Sequence, residues 1–126
     1  MRYVIGSLAL VATVVGFCLW SALYVTAAVE DTEQWLGAAY DAAHDENQTE
    51  ALEAVERAAA IWKRHGDYFG TVLRHDEIDG VAGEFARLDV TVRAGDWDEF
   101  LPSCAALLET LRHIREMELP YFFNIL

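Results

Sequence analysis

The sequence predicts an all-α chain in which an N-terminal transmembrane helix is followed by two stacked αα-hairpins, four helices arranged like a helical repeat. Three observations carry this expectation. Tyr3 to Val29 is a run of 27 residues without a charged side chain. Beyond it the apolar residues recur at steps of three and four, the period of a helix face. Two turn-and-cap signals, Asn47-Gln48-Thr49-Glu50 and Asp96-Trp97-Asp98-Glu99, punctuate that pattern 49 residues apart. The expected organisation is therefore residues 1–29 as cytoplasmic N-terminus and transmembrane anchor, and residues 30–126 as an extracytoplasmic acidic helical domain.

The apolar run comes first. As a helix it would reach ~40 Å at 1.5 Å per residue, against a hydrocarbon thickness of ~30 Å. A cleaved signal peptide is the rival reading, with Thr26-Ala27-Ala28 supplying small residues for cleavage, but its apolar core would be only ~7–15 residues long. Trp20 and Tyr24 near the distal end suit an interfacial aromatic belt. Arg2 precedes the run, whereas Glu30, Asp31 and Glu33 follow it. The positive-inside rule then puts the N-terminus in the cytoplasm and the remainder outside.

Four amphipathic stretches follow. The first spans roughly Thr32 to Asp45, with Trp35, Leu36, Ala39, Tyr40 and Ala43 on one face. The second is capped by Asn47, with Glu50 reaching back as in a capping box, and turns Leu52, Val55, Ala58, Ala59 and Trp62 inward before Gly66. The third carries the clearest stripe, Ile78, Val81, Phe85, Leu88 and Val92, and ends at Gly95, a favourable residue after a helix C-terminus. Its start falls either just after Asp67 or nearer His75. The fourth opens at Asp96 to Glu99 and carries Leu101, Cys104, Leu107, Leu108, Leu111 and Ile114, with Pro102 in its first turns. Leu119 to Leu126 is an apolar tail, expected to dock beside Tyr68 and Phe69 or to bind a partner. At the 49-residue spacing Val55 aligns with Cys104, Ala58 with Leu107, Ala59 with Leu108 and Trp62 with Leu111. This faint repeat favours stacked hairpins; a plain four-helix bundle is the alternative.

Charge narrows the function. After Val29 there are 21 acids against 8 bases, formally −13. Such a surface repels phosphate backbones, so no nucleic-acid partner is expected. Cys18 lies in the apolar run and Cys104 in the acidic part, so they do not pair.

Certain residues carry a likeness. His75-Asp76-Glu77-Ile78-Asp79, Phe85-Ala86-Arg87-Leu88, His113-Ile114 and the terminal Asn124-Ile125-Leu126 resemble the domain of unknown function 4363 family. Its members are small bacterial proteins with an apolar N-terminal anchor and an acidic helical domain. The resemblance covers nearly the whole chain, which departs from the family pattern in being richer in Ala and Gly and in carrying Pro102. It implies an anchor and an all-helical fold, and no activity.

Candidate chemistry is sparse. Asp96, Asp98 and Glu99 lack the spacing of a calcium loop and read as helix caps. Trp35, Tyr40, Trp62 and Trp97 read as core aromatics at helical spacing. Ser103 and Cys104 have no nearby base, and Cys104 falls on an apolar stripe. The remaining constellation is His75, Asp79, His113 and Glu116: two helix-face pairs that a Gly95 turn would bring together. They form either a network clamping two helix ends or a cation site of two imidazoles and two carboxylates. No cofactor is expected. The sequence thus points to a non-enzymatic interaction module. Its partners would be the bilayer, through residues 3–29, and an unidentified membrane or envelope protein. The alternative is a metal-binding protein using that cluster.

Overall fold

The computed structural model describes residues 1–66, 68 and 75–125, with side chains at all of these except 75 and 118–125. Four long helices account for it: α1 (Arg2–His44), α2 (Gln48–Arg64), α3 (His75–Ala94) and α4 (Trp97–Ile125). No residue between Arg2 and His44 breaks the backbone ladder, so α1 is a single helix of 43 residues, ~65 Å long. The apolar run and the first amphipathic stretch are one element.

Each helix packs chiefly against two others: α1 against α2 and α4, α3 against α2 and α4. The two αα-hairpins therefore stack as an antiparallel four-helix bundle. The expected stripes line its core: Leu36, Ala39 and Ala43 from α1, Val55, Ala58 and Trp62 from α2, Val81, Phe85, Leu88 and Val92 from α3, Cys104, Leu107, Leu111 and Ile114 from α4. Trp35, Tyr40, Leu52, Ile78, Trp97, Leu101 and Leu108 are partly buried against that core. Two features differ from the stripes. Phe100 is fully buried while Leu101 is half-buried. Both meet a three-and-four spacing, Phe100 with the buried Cys104, Leu107, Leu111 and Ile114, and Leu101 with Cys104 and the half-buried Leu108. The core also extends back along α1 to Val25, Ala28 and Val29. The buried hydroxyls of Thr32 and Thr91 donate to the carbonyls of Ala28 and Arg87, each at 2.9 Å, so burial leaves neither unsatisfied.

The 49-residue repeat is physical. In the second turn Gly95 is left-handed, with φ +68°. Its N–H donates to Val92 O at 3.2 Å, and that of Asp96 donates to Thr91 O at 3.0 Å, the paired bonds of a Schellman motif. In the first turn Glu46 takes the same conformation, with φ +56°. The N–H groups of Glu46 and Asn47 donate to Ala43 O at 3.0 Å and Ala42 O at 2.8 Å. Asn47 and Asp96 then accept from the N–H groups of Glu50 and Glu99 at 3.2 and 3.3 Å. Glu50 need not reach back as a capping box requires, because the Asn47 N–H is already committed to Ala42 O. The equivalence runs into the first helix of each pair: Thr32 with Val81, Leu36 with Phe85, Ala39 with Leu88 and Ala43 with Val92 are all buried. α4 runs through Pro102 without a break. Asp98, whose carbonyl loses a backbone donor there, is exposed, as is Pro102 itself.

The two turns yield a paired prediction. A Cβ built on Gly95 meets nothing within 4 Å, so Gly95→Ala should cost only the left-handed conformation, ~1–2 kcal/mol. Glu46→Gly relieves the same strain, offset by ~0.5–1 kcal/mol of extra unfolded-chain entropy, and should raise stability by ~0.5–1 kcal/mol. Urea unfolding of the full chain in detergent measures both. In the same assay Phe100→Ala should lose ~3–5 kcal/mol, the transfer energy of a buried ring plus its cavity.

Candidate functional site

Every side chain of α1 from 1 to 20 is exposed except the half-buried Val15 and Cys18. Burial begins at Ser21, which is 3% exposed. At that transition lies a ring of aromatic residues. Phe17, Trp20 and Tyr24 step by three and four along one face of α1, and the end of α2 brings His65 and Tyr68 against them. Trp20 and Tyr24 stack at 5.5 Å between centroids. Tyr24 meets the edges of Tyr68 at 4.8 Å and His65 at 5.1 Å, and Trp20 meets Tyr68 at 6.4 Å. Such stacked and edge-to-face pairs add ~0.5–1.5 kcal/mol each beyond their burial. Two hydrogen bonds join the polar tips: Tyr24 hydroxyl with His65 Nδ1, and Ser21 Oγ with Tyr68 hydroxyl. The result is a collar, aromatic in body and polar at its tips, where α1 leaves the bundle.

Trp20 and Tyr24 were legible in the sequence as aromatics near the end of the apolar run. Ser21, His65 and Tyr68 were not, because the collar joins residues 41 and 47 positions apart. The signal was present in retrospect: Ser21 is a small hydroxyl residue lying between the aromatics Trp20 and Tyr24.

Just above the collar an ion pair ties α4 to α1. Arg115 Nε donates to Glu33 Oε1 at 3.1 Å, and Arg115 Nη1 lies 3.8 Å from Glu30 Oε1. The Glu33 side chain is only 19% exposed and that of Arg115 31%, so this pair is less screened than a surface one. At the opposite end Gln48 Nε2 donates to the carbonyls of Val92 and Arg93 at 2.9 and 3.0 Å, closing the last turn of α3. Arg93 reaches Glu56 at 3.0 Å. A shallow open groove of about 420 Å³ runs between α2 and α3 over Val55, Ala59, Ala60, Phe85 and Ala86. Glu56, Lys63 and Asp89 also line it, but it is open rather than enclosed, unlike the concave pockets that bury a small molecule.

Of the constellation expected at the ends of α3 and α4, three side chains are described. Asp79, His113 and Glu116 are exposed, and no hydrogen bond or ion pair joins these three. The side chain of His75 lies outside the described residues. Among the described residues no group of three or more His, Cys, Asp or Glu side chains converges as a metal site would. The clamp in this region is Arg115, beside His113 in sequence, and it grips α1 rather than α3. The apolar tail continues α4 as helix to Ile125; its side chains, and Phe69, lie outside the described residues. The capping reading of Asp96 holds, as does the core reading of Trp62, 5% exposed. Trp35 carries the Arg57 guanidinium 4.8 Å above its ring.

Cys104 is fully buried, with Sγ 3.5 Å from Leu36 O, and burial pushes its thiol up to about 12. Thiolate is the reactive form, so Cys104 should resist maleimide at pH 8 in the folded chain and label fully in denaturant; mass spectrometry of a Cys18→Ala variant reads this directly. Tyr24→Phe keeps the ring and deletes the hydroxyl facing His65. It should lower stability by ~0.5–1.5 kcal/mol, the net worth of one hydrogen bond, as measured by unfolding in detergent.

Residues 19–125 match the family described as domain of unknown function (DUF4363), and the chain belongs to that family. No curated protein and no solved structure matches it.

Proposed function

We propose that this protein is a membrane-tethered, non-enzymatic helical module at the outer face of the cytoplasmic membrane, holding an acidic bundle close to the bilayer for a membrane or envelope protein to engage. One observation carries the reading. α1 is long and apolar enough to cross a membrane near the N-terminus, and the part that would do so projects from the bundle with its large side chains uncovered: Ile5 is 65%, Leu8 64%, Leu10 67% and Phe17 63% exposed. In water these would form an apolar surface far larger than soluble monomers tolerate; in lipid they need no further partner. Arg2 before the segment and the acids after it favour a cytoplasmic N-terminus. The rest of the described surface supports recognition rather than chemistry. It is rich in carboxylates, its turns and caps are self-satisfied, and Val90, 66% exposed on α3, is an apolar point of contact on the outer face of that helix.

The test has two parts. The full chain should remain with membranes after alkaline carbonate extraction, and protease added to intact protoplasts should remove the bundle. Release into the supernatant, or protection of the bundle, overturns the tether or its orientation. A photo-crosslinker at Val90 in living cells should give one discrete adduct with a membrane or envelope protein; its absence there and at other exposed bundle positions counts against the interaction role.

A further inference from the structure

We infer that the bilayer ends at the collar, and that Trp20, Tyr24 and Tyr68 seat the bundle directly on the lipid headgroup layer. This rests on the reading that α1 spans a membrane, and deepens it by naming the surface and the lipid region it meets. By hydropathy alone the uncharged run invites insertion as far as Val29. The packing argues otherwise. From Ser21 onward one face of α1 is covered by protein: Ala22, Val25, Ala28 and Val29 are each no more than 6% exposed.

The register shows what deeper insertion would carry with it. Tyr24 lies against His65 and Ser21 against Tyr68, so on the antiparallel α2 Lys63 and Arg64 stand level with Thr26 and Val25. Both are exposed. Asp76 and Glu77 open α3 at the same end of the bundle. Sinking Ser21–Val29 into hydrocarbon would drag these charges to a depth where ionised side chains are strongly disfavoured. Ending the hydrocarbon at the collar avoids that. Lys63 and Arg64 then stand about 8 Å above Trp20, five to six residues of helix, in the headgroup zone where long basic side chains reach phosphate.

Length agrees. Tyr3 to Leu19 is 17 residues, ~25 Å of helix, at the short end of the range that spans a bilayer. A short span stands nearly upright, whereas the whole run would have to tilt steeply to fit. Rings with polar tips are the residues that favour this interface, and the family match begins at residue 19, one position before Trp20.

The experiment is a nitroxide scan of the full chain in vesicles of phosphatidylcholine and phosphatidylglycerol, in a Cys18→Ala background with the buried Cys104 left in place. Single cysteines go at Leu8, Val11, Val14, Leu19, Leu23 and Ala27, all exposed, so the packing is undisturbed. Collision with oxygen relative to a water-soluble nickel complex reports depth. The inference expects the greatest depth near Val11, the midpoint of Tyr3–Leu19, with access passing to nickel between Leu19 and Ala27. A maximum near Gly16, with Leu23 and Ala27 favouring oxygen, overturns the seat and leaves the span standing. Nickel access at Leu8, Val11 and Val14 alike overturns the span itself, and the seat with it.

Discussion

The packing of one face of α1 is the constraint from which the rest of the structure follows. α2 and α4 both lie against this helix, through Val25, Val29, Leu36, Ala39 and Ala43, and α3 closes the ring opposite. Without α1 the other three helices would expose a continuous apolar trough, and with Cys104 as their one cysteine no disulfide among them could compensate. The same helix also carries the uncovered apolar segment. An amphipathic bundle helix and an all-round apolar helix are ordinarily distinct types; here one unbroken backbone ladder is the second type up to residue 20 and the first type beyond it. The collar sits where one pattern gives way to the other. It is aromatic because aromatic side chains satisfy both neighbours, with apolar bodies and hydroxyls that find partners in Ser21 and His65.

The two hairpins solve one folding problem twice. Each must reverse the chain within three residues while leaving no helix-end donor or acceptor unpaired. Both use a left-handed residue, two backward backbone bonds and an Asn or Asp that caps the next helix. The second uses glycine at the left-handed position and the first uses Glu46, so the first turn carries conformational strain that the second lacks. The far end gains rigidity from Gln48, which bonds carbonyls of α3 across the pair, and from Arg93, which reaches back to Glu56.

Much of this was legible in the sequence. The stripe Val81, Phe85, Leu88, Val92 specifies a helix and its buried face, because only the helical period brings those four together. The Asn47 and Asp96 caps were readable because few residue types fill that role. Other features were hidden for physical reasons. Ser21–Val29 is apolar for lipid and protein alike, so hydropathy does not distinguish a face packed on α2 from one in the bilayer. Phe100 and Leu101 are both large and apolar, and only the helix start at Trp97 settles which one points inward. The collar depends on contacts across more than forty residues, which no local pattern encodes. At the polar end of α3 and α4 the spacing of Asp79, His113 and Glu116 was visible, yet the residue gripping a neighbouring helix is Arg115, whose target on α1 becomes apparent only when α4 lies beside it.

The continuity of α1 also sets an angle. Each residue of an α-helix advances the chain ~1.5 Å and turns it ~100°. With no joint between residue 2 and the bundle, the direction in which the acidic faces point is phased to whatever grips the N-terminal segment. Adding one residue near Val11 would lift the bundle slightly but swing it through more than a quarter turn, whereas adding seven would return it to within ~20° of its original azimuth. The length of the segment is thus read twice, once as the bundle's distance from the N-terminal end of α1 and once as compass bearing. Two such chains held side by side through their exposed segments would present each other with defined faces.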